Sequence, residues 1–179
     1  PICKYEQFLS FIKFKNRILG FDHGTKNIGV AISNEDLTLA TPLKTITRKK
    51  ILDDFDEILT LINDYRIKGI VFGWPLNMNG SRGPRCQSVE TFVKKFLNFN
   101  DIPILFQDER MSSQAIEKIW IQQKVSRKKR SDNIDKHAAC WILQSALDTL
   151  KKNSNKIILM SSFNKLNNYS PPIAILSSP

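Results

Sequence analysis

The sequence predicts an α/β domain in which helices cover a mixed sheet of five strands. Three short runs of β-favouring residues come first, and the glycine-containing turn His23–Asn27 joins the first two runs as a hairpin. After residue 50, segments with helical spacing alternate with short, nearly continuous apolar runs, which are typical of buried parallel strands. A meander followed by strand–helix alternation places helices on both faces of one sheet.

The predicted elements follow one another in the order β-β-β-α-β-α-β-α-α. The strands are β-branched or apolar runs bounded by turn residues, over Arg17–Asp22, Ile28–Ser33, Leu39–Ile46, Lys68–Trp74 and Ile102–Phe106. The helices show apolar residues three and four positions apart, over Ile51–Tyr65, Val89–Leu97, Ser112–Trp120 and Ile134–Leu150.

The domain boundaries follow from the same pattern. Residues 1–16 carry a short amphipathic stretch and are predicted as an N-terminal extension, and residues 17–150 form the predicted α/β domain. Residues 151–179 are rich in Ser, Asn and Lys and contain two adjacent prolines, which favours a flexible basic and polar tail.

Length and composition exclude several classes of protein. The chain has 179 residues, which suits one domain. No apolar run approaches the ~20 residues of a membrane span, and the first residues lack a signal-peptide pattern. Three scattered cysteines form neither a disulfide framework nor a zinc motif, so we expect a cytoplasmic protein. The formal net charge is +10, but Lys, Asn and Ile are abundant, as an AT-rich coding sequence produces whatever the function. Local clusters of charge therefore count for more than the total.

Carboxylates come at three places where a sheet of this kind gathers functional groups. Asp22 ends the first strand, Asp108 and Glu109 follow the last one, and Asp135 begins the last helix. Converging carboxylates are the ligands that Mg²⁺ prefers. Each acid also has an ordinary structural explanation, as a turn residue, a surface ion pair or a first-turn helix acid. Spacing alone leaves both explanations open.

Four motifs, in order, resemble the YqgF family of RuvX-like Holliday junction resolvases. They cover about residues 17–150, and it is their shared order that makes the resemblance specific. The motifs are Ile18-Leu19-Gly20-Phe21-Asp22-His23-Gly24-Thr25-Lys26-Asn27-Ile28-Gly29-Val30-Ala31, Val71-Phe72-Gly73-Trp74-Pro75-Leu76-Asn77-Met78-Asn79-Gly80-Ser81, Asp108-Glu109-Arg110-Met111-Ser112-Ser113 and Ile134-Asp135-Lys136-His137-Ala138-Ala139.

The resemblance implies an RNase H-like fold and a divalent-metal nuclease. It implies Asp22, Glu109 and Asp135 as catalytic acids and as ligands of Mg²⁺ or Mn²⁺, with phosphodiester hydrolysis by two-metal chemistry. Family members are regarded as nucleases that mature the 5′ end of pre-16S ribosomal RNA or as resolvases of branched DNA. A third possibility is a module that keeps the fold and binds RNA or a transcription complex without cleavage. The expected partner is a nucleic acid, either pre-rRNA or branched DNA.

Basic residues near these acids are candidate contacts to a phosphate backbone. Five cations occur within the seven residues of Lys124–Arg130, and others lie in the turn, the glycine-containing loop and the third motif. The candidates for nucleic-acid binding are Lys26, Arg82, Arg85, Arg110, Arg127, Lys128, Lys129 and Arg130. A solvated surface is the alternative explanation for all of them.

A different class of enzyme also uses the first motif. Asp22, Gly24 and Thr25 resemble the phosphate-binding hairpin of actin-like ATPases and sugar kinases. Those enzymes need two such domains around a nucleotide, whereas this sequence carries one copy and no second glycine-rich phosphate motif. The nuclease interpretation is therefore favoured.

Overall fold

The structure is a computed structural model that describes residues 1–12, 15–108 and 136–155. Its strands are β1 (Ile2–Cys3), β2 (Arg17–His23), β3 (Asn27–Ser33), β4 (Ala40–Thr47), β5 (Ile67–Trp74) and β6 (Ile104–Asp108). Its helices are α1 (Tyr5–Phe11), α2 (Ile51–Asp64), α3 (Pro84–Phe96) and α4 (residues 136–155). None of the helices described is long and apolar enough to cross a membrane.

The strands form one mixed sheet in the order β1-β6-β5-β2-β3-β4. Strands β2, β3 and β4 pair antiparallel, whereas β5 pairs parallel with β2 and with β6. In RNase H-like domains the first strand of a three-stranded antiparallel meander also pairs with a parallel strand on its other side. Here β2 begins the meander and β5 is that parallel strand. The predicted fold class is therefore confirmed.

The predicted count of five strands is wrong by one. β1 pairs parallel with β6 through Ile2 opposite Ile104 and Cys3 opposite Leu105. A strand of two residues is too short to show any periodicity, so the sequence pattern did not reveal it. It lies within residues 1–16, which also supply α1, and the side chain of Phe8 in that helix is fully buried.

Two apolar cores lie on the two faces of the sheet. Helices α2 and α3 cover one face, and ring contacts such as Phe55 with Phe92, at 5.1 Å between centroids, join them. Helices α1 and α4 cover the other face, where Leu143 packs with Ile18 and Val71. The prediction of helices on both faces is confirmed, and the residues that alternate along each strand divide between the two cores.

Glycines permit two close approaches that shape the sheet edge. A Cβ atom on Gly24 would lie 2.7 Å from the carbonyl oxygen of Asn27, which accepts the Gly24 N–H at 2.9 Å in the β2–β3 turn. A Cβ atom on Gly20 would lie 2.6 Å from the Cβ of Leu143, so α4 rests directly on the backbone of β2. Because Gly24 has no side chain the β2–β3 turn can close tightly, and because Gly20 has none α4 can pack directly on β2.

Candidate active site

Asp22 lies near the carboxyl end of β2, the strand in the middle of the sheet. It pairs with Gly29 of β3 and is half-buried. Along β2, Ile18 and Gly20 face α4 whereas Leu19 and Phe21 face the other core. Since side chains alternate along a strand, Asp22 belongs to the face that α4 covers.

Helix α4 runs with its first described residues toward the same edge. Its later residues contact the turn between β3 and β4, at the opposite edge of the sheet. The Gln144 Nε2 donates to the Thr38 carbonyl oxygen at 3.1 Å, and Leu147 lines a cavity together with Leu37. The first described residue of the helix, Lys136, therefore lies on the side of the sheet where Asp22 lies.

Strand β6 ends at this edge as well. The Tyr5 hydroxyl of α1 donates to the Gln107 side-chain oxygen, which assigns Gln107 to the face covered by α1 and α4. Asp108 pairs with Trp74 of β5, and Trp74 and Phe106 pack on the α3 side with ring centroids 4.3 Å apart. By the alternation along the strand, Asp108 belongs to the α3 side of the sheet.

The structure thus describes one of the three predicted catalytic acids. Glu109 and Asp135 lie outside the described residues, next in sequence to the ends of β6 and α4. Their convergence with Asp22 stays a prediction. The same holds for several predicted nucleic-acid contacts, since the residues outside the described ranges are Arg110, Arg127, Lys128, Lys129 and Arg130.

The other predicted contacts surround the same edge. Lys26 is exposed in the β2–β3 turn, and Arg85 is exposed in the first turn of α3. The guanidinium carbon of Arg82 lies 5.6 Å from the ring centroid of Trp74, so this cation covers an aromatic side chain at the end of β5. Their binding to nucleic acid stays a prediction.

His23 is a feature of the site that the sequence did not single out. Its side chain follows Asp22 on the opposite face, is 7% exposed and packs on Phe92 with ring centroids 4.6 Å apart. Burial above all, and then the nearby cations Arg48 and Arg85, lower the pKa of His23 to about 4, against the opposing effect of Asp54. His23 is therefore neutral at pH 7.

Arg48 links His23 to the hairpin turn and to α2. Its Nε donates to the Asp54 carboxylate at 3.2 Å, one terminal nitrogen donates to the Gly24 carbonyl at 3.1 Å, and its guanidinium lies 5.4 Å from the Phe92 ring centroid. Asp54 is buried and also accepts the backbone N–H of Lys49 at 3.1 Å. These bonds tie the β2–β3 turn, the end of β4 and the start of α2 into one unit beside the sheet edge.

An RNase H-like sheet with an aspartate near the end of its central strand is the framework of a class of nucleases. Residues 16–149 match the family model described as RuvX, Holliday junction resolvase. The chain belongs to this family, and the resemblance carried by the four motifs is confirmed. It is accordingly a member of a nuclease family.

Curated relatives cover most of the chain. A protein of Rhodospirillum rubrum, named "Putative pre-16S rRNA nuclease", is 40% identical over 153 residues, which are 85% of this chain and 95% of the relative. A protein of Bradyrhizobium diazoefficiens with the same name is 47% identical over 133 residues, which are 74% of this chain and 83% of the relative. A solved structure of T. thermophilus RuvC in complex with Holliday junction substrate gives a TM-score of 0.48 at 13% identity, over 73% of this chain and 93% of that chain. The fold assignment rests on the strand order.

Proposed function

We propose that this nuclease hydrolyses phosphodiester bonds in RNA and acts in the 5′-end processing of pre-16S ribosomal RNA. The observation that carries the proposal is the position of Asp22. It lies at the carboxyl edge of the central strand, on the face of α4. The names of the curated relatives support the RNA substrate. A protein that processes ribosomal RNA precursors would act in the cytoplasm, and this location is part of the proposal.

The donor chemistry at this edge fits a hard divalent cation. Asp22, Glu109 and Asp135 are all carboxylates, and two of them adjoin elements that end or begin at the edge. Within residues 1–12, 15–108 and 136–155, no three His, Cys, Asp or Glu side chains are grouped closely enough to hold a metal ion. The proposal therefore requires Glu109 and Asp135 to join Asp22.

The choice of Glu109 over Asp108 has a structural reason. Gln107 faces α1 and α4, and Asp108 belongs to the α3 side with Trp74. Because the alternation along β6 assigns Asp108 to the other face from Asp22, the next residue in sequence is the better candidate to share a metal with Asp22.

Bound Mg²⁺ or Mn²⁺ would activate water and stabilise the leaving oxygen in a two-metal hydrolysis. In this arrangement Asp22, Glu109 and Asp135 would hold the metal ions. Basic residues around the edge, Lys26, Arg82 and Arg85 among them, would offset the repulsion between the carboxylates and the polyanionic substrate.

Cleavage of an RNA with a pre-16S 5′ leader by the purified full-length chain tests the proposal. Mutation of a residue that only supports a metal ligand lowers metal affinity or activity by about 10- to 100-fold. Removal of a ligand itself should cost more, so Asp22→Asn should lower the cleavage rate by more than about 100-fold. RNA binding and the unfolding midpoint should be preserved. Asp36→Asn is the matched control, because Asp36 is an exposed aspartate in the turn at the opposite edge. Full cleavage in EDTA, or by the Asp22→Asn variant, would contradict the mechanism.

A branched DNA substrate is the second candidate, favoured by the description of the matching family model as a Holliday junction resolvase. A four-way junction assayed beside the RNA leader at equal concentration distinguishes the two. Faster cleavage of the junction would replace the RNA proposal and leave the role of Asp22 unchanged.

A further inference from the structure

Two adjoining cavities open beside His23, on the α3 side of the sheet edge. One has a volume of about 380 Å³ and the other about 540 Å³, and both are lined by His23, Pro84 and Ser88. We call them together the His23 pocket. Its polar lining consists of His23, Thr25, Arg48, Arg85, Gln87, Ser88 and Thr91.

Among the described residues, the imidazole of His23 has no partner at one of its two nitrogens. The residue is 93% buried, as only 7% of its surface is exposed, and its Nε2 has no hydrogen-bond partner among the described residues. Buried polar atoms in folded proteins almost always have a partner, and one without a protein partner is a place to look for a ligand or water. His23 lines both cavities, so the pocket is where such a ligand would sit.

The electrostatic character of the pocket favours an anion. Helix α3 has 13 residues and begins at the pocket with Pro84, and its first turn contains no acidic residue. Its N-cap residue, Gly83, provides no side-chain cap, and its N-terminal backbone N–H groups carry the positive end of the helix dipole. Arg85 adds a full charge in the same turn, and Ser88 adds a hydroxyl one turn further on. An oxyanion of moderate size suits this set of donors.

The pocket lies at the same strand end as Asp22, on the opposite face of the sheet. Asp22 and His23 are consecutive residues of β2, so their side chains leave the same strand end on opposite faces. The turn that contains Thr25 and Lys26 stands between these faces, with both side chains exposed. A nucleic-acid strand that reaches Asp22 on one face can therefore continue over the turn to the other.

We propose that the His23 pocket binds a phosphate group of the substrate backbone, separate from the phosphodiester that is cut at Asp22. Arg85, Ser88 and the start of α3 would hold the phosphate oxygens, and the neutral His23 imidazole, in the tautomer with its proton on Nε2, would donate to one of them. The identity of the bound phosphate as nucleic-acid backbone rests on the proposed function, whereas the pocket itself rests on the unpartnered imidazole and the helix start.

Equilibrium binding of a single-stranded RNA oligonucleotide to the full-length chain, measured in EDTA over a range of salt, tests this directly. Loss of one phosphate contact on a single strand lowers the slope of log affinity against log salt by about 0.7. Arg85→Gln should show that loss, and Ser88→Ala should weaken binding by about threefold to tenfold without changing the slope. Lys95→Gln is the matched control, because Lys95 is an exposed cation near the other end of α3, and it should bind like the parent.

The imidazole signals of the two histidines give a readout at the pocket itself. The chain contains only His23 and His137, and His23→Phe assigns the spectrum. The oligonucleotide should shift the His23 ring nitrogens in the parent and in the Asp22→Asn variant, which separates the pocket from cleavage. Should His23→Phe not fold, the exposed Arg85→Gln and Ser88→Ala variants identify the His23 signals. In these variants the oligonucleotide should no longer shift the His23 signals, whereas the His137 signals should behave as in the parent.

Each outcome decides the matter. A His23 shift with the oligonucleotide and a reduced slope in Arg85→Gln support the proposal. A saturable shift with inorganic phosphate that the oligonucleotide does not compete away keeps the phosphate pocket but overturns its assignment to the substrate backbone. An oligonucleotide that binds without moving the His23 signals, and with an unchanged slope in Arg85→Gln, overturns the pocket altogether. Loss of cleavage in Asp22→Asn tests the proposed function alone.

Discussion

Acidification should destabilise this fold through His23. The folded protein holds the pKa of this imidazole at about 4, against an ordinary value of about 6.5 in an unfolded chain. Between these values the unfolded chain binds a proton that the folded chain rejects, so stability falls as the pH falls. At 1.36 kcal/mol per pKa unit, the loss between pH 7 and pH 4 is about 3 kcal/mol. That is a large part of the 5–15 kcal/mol typical of a domain.

The groups around His23 explain the direction. Burial against Phe92 removes the imidazole from water, and Arg48 and Arg85 oppose a second positive charge beside them. The Asp54 carboxylate acts the other way, but its partner Arg48 lies 3.2 Å from it and offsets its charge. The neutral imidazole is therefore the form that the folded protein accepts.

Urea unfolding at pH 7, 6, 5 and 4, in metal-free and phosphate-free buffer, measures the effect. The His23→Phe variant removes the titrating group and keeps an aromatic ring against Phe92, so the difference between the two pH profiles isolates His23. This subtraction also removes His137, whose pKa burial lowers in the same direction. A difference profile that is flat from pH 7 to pH 4 would refute the reasoning.

Two further predictions concern the packing around the edge. Gly20→Ala should lower the free energy of unfolding by about 1–3 kcal/mol, because its Cβ would lie 2.6 Å from the Leu143 Cβ. Adding Leu143→Ala should not restore stability to the Gly20→Ala variant, because alanine keeps the Cβ atom that makes the contact. An unchanged urea midpoint in Gly20→Ala would show that α4 lies farther from β2. Asp54→Ala should cost about 2–3 kcal/mol, less than for a fully buried ion pair because the Arg48 side chain is 22% exposed. The control is Asp53→Ala at the exposed neighbouring position, which should change the unfolding free energy by less than about 0.5 kcal/mol. Equal losses of unfolding free energy in Asp53→Ala and Asp54→Ala would argue against the Arg48 ion pair.

The central strands could be predicted because their own residues determine them. β5 is apolar at nearly every position, since both faces of the sheet are covered, and that continuity distinguishes it from the amphipathic helices beside it. The hairpin of β2 and β3 depends on Gly24, whose neighbours leave no room for a side chain. β1 could not be predicted in this way, because its two residues acquire their conformation only by pairing with Ile104 and Leu105.

The candidate site divides along the same line. The position of Asp22 could be predicted because a carboxylate at the end of an apolar strand is visible in the sequence, whereas its role stays a prediction. The environment of His23 could not, because it is built by Phe92 of α3 and by Arg48 beyond the end of β4. In the sequence, a histidine before a glycine is indistinguishable from an exposed turn residue. Only the packing of distant elements buries it.

The alternation of β2 would allow one strand end to serve both of the proposed sites. Asp22 and His23 differ by one position, and that position alone sends the carboxylate toward α4 and the imidazole toward α3. A shift of the strand by one residue would exchange the faces of both side chains at once. The pairing of Asp22 with Gly29 and of His23 with Ile28 fixes the register against such a shift, and Arg48 holds the turn beyond it through the Gly24 carbonyl. Whatever positions Asp22 for a metal therefore also positions His23 at its pocket, so a change that loosens the hairpin should weaken both sites together.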